Sequence, residues 1–119
     1  MFRNKKKPIT NRQLNNAIKK HKERKEIDRK IQNRKSMLKN KYGITLDQYE
    51  AMYNQQHGLC AICFRISDRL LVVDHDHTTG HIRGLLCHNC NIALGLLQDS
   101  TDVLLSAIAY LKSHNKDTC

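Results

Sequence analysis

Two C-x2-C pairs, Cys60/Cys63 and Cys87/Cys90, stand 23 residues apart and enclose a second reactive cluster, Asp74-His75-Asp76-His77. Each pair puts two thiolates on one tight turn. Two such turns brought together offer the four soft ligands of a closed tetrahedral zinc site, with no coordination position left for a substrate. The zinc this predicts is structural. Paired C-x2-C turns are far more specific than a cysteine count, so two disulfides or four buried thiols are the weaker alternative. Asp74-His75 is a different kind of site, a hard carboxylate oxygen beside an imidazole, with the amide of Asn91 directly after the last of the four cysteines. A carboxylate and an amide oxygen suit Mg2+ or Mn2+ with most of its waters retained. A neutral histidine beside them can take a proton from an attacking water. The residue types therefore assign structure and chemistry to two separate metals.

These residues need elements to position them. Leu70 to Val73 reads as a buried strand, Thr78-Thr79-Gly80 as a turn and His81 to Leu86 as the returning strand, so Asp74 and His75 fall where the first strand of a β-hairpin ends. A helix is expected from near Asn91, which brings hairpin, second cysteine turn and helix to one locus. Asp99-Ser100-Thr101 offers a new helix start, after which Val103, Leu104, Ala107, Ile108 and Leu111 share a face expected to pack rather than catalyse. Upstream, Thr45-Leu46-Asp47-Gln48 is a capping box. Leu46, Tyr49, Met52 and Tyr53 recur at helical spacing behind it, with both tyrosines read as core. Farther back, Thr10-Asn11-Arg12-Gln13 is another capping box, with Ile9 and Leu14 placed as a hydrophobic staple. No Gly or Pro then follows until Gly43, which can take the left-handed conformation that closes a helix. This long helix carries i,i+4 pairs such as Lys19/Glu23, Lys22/Glu26 and Glu26/Lys30 but few apolar residues, so it has only a narrow seam to bury. Met1 to Pro8 reads as a mobile basic arm.

From Cys60-x2-Cys63 through Val72 to Gly95, and most of all in D-H-D-H followed by R-G-L-L-C-x2-C-N, the sequence resembles the phage recombination endonuclease VII family, within the HNH or ββα-metal (His-Me finger) nucleases. The resemblance runs from about Tyr42 to Leu111. With the pattern above it gives an α+β fold class: a zinc-stapled ββα-metal nuclease domain at residues 42–119, preceded by a basic arm and DNA-binding helix at residues 1–41. It implies that Asp74 and Asn91 hold the catalytic Mg2+ or Mn2+ and that His75 is the general base toward an attacking water. His77 would act on the phosphate, the leaving group or the loop. Asp76 would steady that loop or approach the metal's surroundings, while Arg83 would contact a phosphate or form a surface salt bridge. His21, His57, His81, His88 and His114 have no spacing argument and read as surface or local hydrogen-bonding residues. Leu94 departs from the pattern, standing where the family's phage Holliday-junction resolvase carries an acidic residue, so resolution of junctions is not implied.

A chain of 119 residues with no Trp and 5% aromatics must build its core on Leu, Ile, Val and Ala. At that size a metal contributing ~10–16 kcal/mol to folding is an effective staple. Residues 1–41 hold 16 Lys/Arg against three Asp/Glu, a net charge of +13, whereas residues 42–119 hold five against eight, or −3. The basic segment is thus expected to supply the attraction to phosphate that the acidic remainder lacks. The expected activity is metal-dependent DNA endonucleolysis by nicking, double-strand or branched-DNA cleavage. A noncatalytic zinc-dependent DNA-binding module would have no use for Asp74-His75 with Asn91. A protein-interaction module would explain the long helix as a coiled-coil partner, but its apolar positions do not sustain a heptad; the expected partner is DNA, with homodimer formation left open. No apolar run is long enough to span a bilayer or serve as a signal peptide, and thiolate ligands suit a reducing compartment, which places the chain in the cytoplasm of a bacterial cell or phage-infected host. Cys119 reads as a free thiol.

Overall fold

The computed structural model describes residues 7–115; most of the basic arm and Cys119 lie outside the described residues. The chain divides into two compact units, one running to Leu46 and the other from Asp47 onward.

The first unit is dominated by helix α1 (Asn11–Tyr42, 32 residues). Its start is the expected capping box. The Thr10 hydroxyl accepts the Gln13 N–H at 3.3 Å, and Gln13 Oε1 accepts the Thr10 N–H at 2.9 Å, which satisfies two donors that the first turn would otherwise strand. Its end is Gly43 at φ 69°, whose N–H donates to the carbonyls of Leu38 and Lys39. A side chain would be strained in that left-handed position. Between the ends, Glu26 is engaged by Arg29 at 2.8 Å and by Lys30 at 3.8 Å. Leu38 is the buried residue of α1; Ile9, Leu14, Ile18, Ile27, Ile31 and Met37 are exposed. The staple therefore shields little apolar surface.

The second unit strings together all but the first residue of α2 (Leu46–Gln55), then β1 (Val72–His75), β2 (Ile82–Leu86), α3 (His88–Leu96) and α4 (Thr101–His114). Its buried apolar residues are Tyr49, Cys60, Leu71, Val73, Leu85 and Leu86, none more than 5% exposed. Tyr49 brings a large ring into this small core because its hydroxyl finds a partner, donating to the Leu71 carbonyl at 2.7 Å. Gln56, just past α2, ties that helix to the hairpin. Its Nε2 donates to the Leu59 and Leu85 carbonyls and its Oε1 accepts the Leu85 N–H, each at 2.9 Å. A Cβ at Gly84 would stand 3.2 Å from that Oε1, so the bare backbone leaves room for the clamp.

β1 and β2 form a two-stranded antiparallel sheet with Val72 opposite Leu86, Val73 opposite Leu85 and Asp74 opposite Gly84. The register then slips so that His75 faces Ile82, leaving Arg83 as the unopposed residue of a β-bulge. The connecting turn is fastened by Asp76, whose carboxylate accepts the N–H groups of Thr78 at 2.7 Å and Thr79 at 3.0 Å. Those bonds, Thr79's first, hold the Asp76 carboxyl below its ordinary range. α3 packs against both strands. Gln98 and Asp99, both left-handed at φ 58° and 51°, make the corner into α4, which leaves α3 at 102° after the Ser100 cap.

Four expectations are corrected. The first strand begins at Val72, with Leu70 63% exposed before it, and runs on through Asp74 and His75. The following helix begins at His88, not near Asn91, because Cys87 is its N-cap and accepts the Cys90 N–H on its sulfur. Tyr53, expected in the core, is exposed. The apolar face of α4 does not pack as expected. Val103, Ile108 and Leu111 are 42–66% exposed and no α4 residue is buried.

Candidate functional site

The four cysteines converge. Cys60 precedes a turn in which Phe64 N–H returns to the Cys60 carbonyl, and Cys87 and Cys90 sit at the cap and in the first turn of α3. Their sulfurs all lie within 4.8 Å of one another, and Cys63 Sγ is 3.9 Å from Cys87 Sγ. A tetrahedron with Zn–S of ~2.3 Å has edges of ~3.8 Å, so four cysteines spaced this way could hold a structural zinc ion. The local electrostatics agree. Burial opposes ionisation of Cys60, but backbone N–H groups of Cys63, Cys87 and Ile62 outweigh it and bring the thiol down to about 6. Cys90 is pushed up to about 12, first by burial and then by the sulfurs of Cys87, Cys60 and Cys63. Four thiolates cannot crowd together on their own charge, and a dication at their centre removes that obstacle.

Asp74 and His75 close β1 as neighbours, and the bulge separates the pairing of the two. Asp74 is only 8% exposed, and its carboxylate is gripped through both oxygens: Arg83 Nε donates to Oδ2 at 2.7 Å and Nη2 to Oδ1 at 2.9 Å. Arg83 Nη2 also reaches Asp99 Oδ2 at 3.3 Å. The two carboxylates, Asp74 foremost, raise the guanidinium pKa still further. The rings of His75 and His77 are brought together across the start of the turn, with centroids 4.7 Å apart and planes tilted by 57°. Asn91 is half-buried in α3, one turn after the Cys87 cap, with its N–H bonded to the Cys87 carbonyl. The asparagine is therefore not itself the helix cap. A cleft of about 420 Å3 is bordered by Asp76, His77, Thr78, Arg83, Gln98 and Asp99, whereas Asp74, His75 and Asn91 do not line it. Asp99 is the member that the sequence pattern does not single out as a site residue. Its only visible signal there is that of a helix start, while its tie to Arg83 depends on the α3–α4 corner.

A hairpin and helix that gather a buried carboxylate, two imidazoles and four clustered thiols that could hold zinc define a mixed α+β protein. The family model for recombination endonuclease VII matches residues 35–113, more than half of the chain, and the chain belongs to that family. It is 49% identical over 74 residues to the Gene 59 protein of Mycobacterium phage D29, a match covering 60% of this chain and 45% of that protein. The Gene 59 protein of Mycobacterium phage L5 is 48% identical over 73 residues, covering 59% of this chain and 44% of the relative. The match thus spans less than half the length of these curated relatives. No solved structure matches the chain. Among the described residues no single helix is long and apolar enough to cross a membrane.

Proposed function

We propose that the protein is a metal-dependent endonuclease of the HNH, ββα-metal type that hydrolyses phosphodiester bonds in DNA. The observation that carries this reading is the adjacency of Asp74 and His75 at the end of β1, against a helix bearing Asn91, in a chain of the endonuclease VII family. His75 takes the proton from the water that attacks phosphorus, at the point where the bulge shifts the register of the hairpin. His77, 4.7 Å away ring to ring, meets the same substrate atoms from the turn and can donate to a phosphate oxygen. Asp74 and Asn91 supply the hard oxygens that would hold Mg2+ or Mn2+, an ion that when bound offsets charge on the phosphate and leaving oxygen. Each Asp74 oxygen keeps a second lone pair beside the one that Arg83 uses, so the donor set suits such an ion. Cys60, Cys63, Cys87 and Cys90 hold zinc, which fixes the first turn of α3 and with it the residue after Cys90. The basic segment 1–41 is the handle for the DNA backbone, through α1.

The test is incubation of the zinc-loaded protein with supercoiled plasmid in Mg2+ or Mn2+, with and without EDTA, beside His75→Ala. Wild type should nick or linearise the plasmid in an EDTA-sensitive way. His75→Ala should bind DNA with its zinc intact but lose cleavage by at least about a hundredfold, the usual worth of a general base. A His75→Ala protein that cuts at the wild-type rate overturns the assignment. DNA binding by wild type with no cleavage of any DNA would leave a noncatalytic zinc module instead.

A further inference from the structure

The Asp74–Arg83–Asp99 chain is more deliberate than a surface ion pair. Side chains alternate along a strand, so in an unbroken register Arg83 would lie on the face opposite Asp74 and Gly84. The bulge breaks that alternation at Arg83 itself, and bulges re-aim side chains in just this way. Gly84, across from Asp74, contributes no side chain to obstruct the guanidinium. The result is a bidentate grip on a carboxylate that is 8% exposed and would be costly to leave unpaired. On its far side the same Nη2 touches Asp99 at a longer 3.3 Å. Asp99 is carried there by two successive left-handed residues, a conformation that non-glycine residues adopt at some cost.

We propose that Arg83 is the resident counter-ion of Asp74, that it yields the carboxylate to an arriving divalent cation, and that Asp99 is the seat onto which its charge withdraws. The inference rests on the reading of Asp74 as a metal ligand. Charge counting gives it direction. Asp74, Arg83 and Asp99 sum to −1; a divalent ion takes the group to +1, whereas without Asp99 the same ion would create +2 around a single buried carboxylate. Arg83 is thus a positioning residue that keeps the Asp74 carboxylate oriented while no ion is present, and Asp99 lowers the cost of the exchange.

The experiment uses the full zinc-loaded chain and Mn2+ alone as probe, with free Mn2+ read by electron paramagnetic resonance and melting followed with and without the ion. Arg83→Gln should melt lower than wild type in the absence of Mn2+. It should also bind Mn2+ roughly fivefold or more tightly, the effect of removing one unit charge a few ångströms away even in a water-like dielectric. Asp99→Asn should bind Mn2+ weaker by a similar factor, and that loss should shrink in the Arg83→Gln background, where only the Coulomb pull of Asp99 is left and no guanidinium needs a seat. Arg83→Lys, which keeps the charge but not the two-pronged fit, should fall between wild type and Arg83→Gln. Mn2+ affinity unchanged or reduced in Arg83→Gln, or an Asp99→Asn loss that is undiminished without Arg83, overturns the proposal. Should Arg83→Gln fail to fold, Asp99→Asn and Arg83→Lys decide it: wild-type Mn2+ affinity in both is the refuting result. Asp74→Asn separates this from the underlying reading. If it binds Mn2+ as wild type does, Asp74 is not the ligand and both ideas fall. If it loses Mn2+ while the Arg83 variants are indifferent, only the counter-ion exchange is wrong.

Discussion

Cys60→Ser should remove zinc and cooperative folding of the second unit together. Cys60 is fully buried, and the aliphatic core around it consists of Leu71, Val73, Leu85 and Leu86. At about 1.5–3 kcal/mol for each such side chain fully buried, those four contribute roughly 6–12 kcal/mol before the entropy of ordering the chain is subtracted. A thiolate zinc site contributes ~10–16 kcal/mol, as much as the aliphatic core or more. No repacking of so few side chains can replace it, so the expected loss is as large as the whole stability of an ordinary small domain, ~5–15 kcal/mol. The assay must look at the right unit. Helix α1 alone supplies 32 helical residues, so far-ultraviolet dichroism would register it even with the zinc unit molten. Amide chemical-shift dispersion for residues 47–115, beside zinc content by atomic absorption, gives the clean reading. One zinc per wild-type chain and none in Cys60→Ser, with dispersion collapsed in the variant, is the expected result. A reduced wild-type protein that is folded without zinc, or a Cys60→Ser protein that keeps its dispersion, would refute the reasoning.

Two further outcomes follow from charge. Cys60 is depressed to about 6 and so presents a ready thiolate above that pH, a contribution lost as pH falls through 6, whereas Cys90, held at about 12, must give up a proton at any neutral pH. Zinc affinity measured against a competing chelator should therefore rise with pH and should fall more steeply below about 6; a pH-independent affinity would contradict the shared-thiolate picture. Replacing Lys19, Lys20, Lys22 and Lys25 by Gln keeps good helix formers on an exposed stretch of α1 and removes four charges. If α1 grips the backbone, the slope of log affinity against log salt should flatten by about 0.9 for each phosphate that is no longer neutralised, and an unchanged slope would assign the helix to some other partner.

Much of this architecture is legible in the sequence itself. The capping box at Thr10, the stop at Gly43, the Ser100 start and the convergence of two C-x2-C turns are local patterns with fixed offsets, and local chemistry decides them. The start of α3 escapes such a reading because Cys87 caps it through sulfur, a role that a search for Ser, Thr, Asp or Asn overlooks. The first strand is expected too early because the apolar run Leu70 to Val73 looks more strand-like than Asp74-His75. The strand can carry a buried carboxylate next to its last residue only because Arg83, the bulge residue of β2, grips it. Periodicity identifies the apolar face of α4 but cannot say whether anything covers it. The bulge at Arg83 and the reach of Asp99 belong to pairing and to a corner in the chain, which no stretch of sequence displays by itself.

The clamp formed by Gln56 has a consequence for how the molecule behaves in a crowd. A two-stranded sheet has two open edges, and an open edge with free N–H and C=O groups is a template on which another chain can add a strand. On β2 the outward-facing groups of Leu85 are already taken, its N–H by Gln56 Oε1 and its carbonyl by Gln56 Nε2 and the Ala61 N–H. A single amide side chain thus imitates a third strand at the point where Leu85, fully buried, would otherwise offer an adhesive backbone beneath an apolar surface. With alanine in its place the Leu85 N–H would be open to the next molecule while Ala61 still held the carbonyl, and the first symptom would be concentration-dependent aggregation of the zinc-loaded protein.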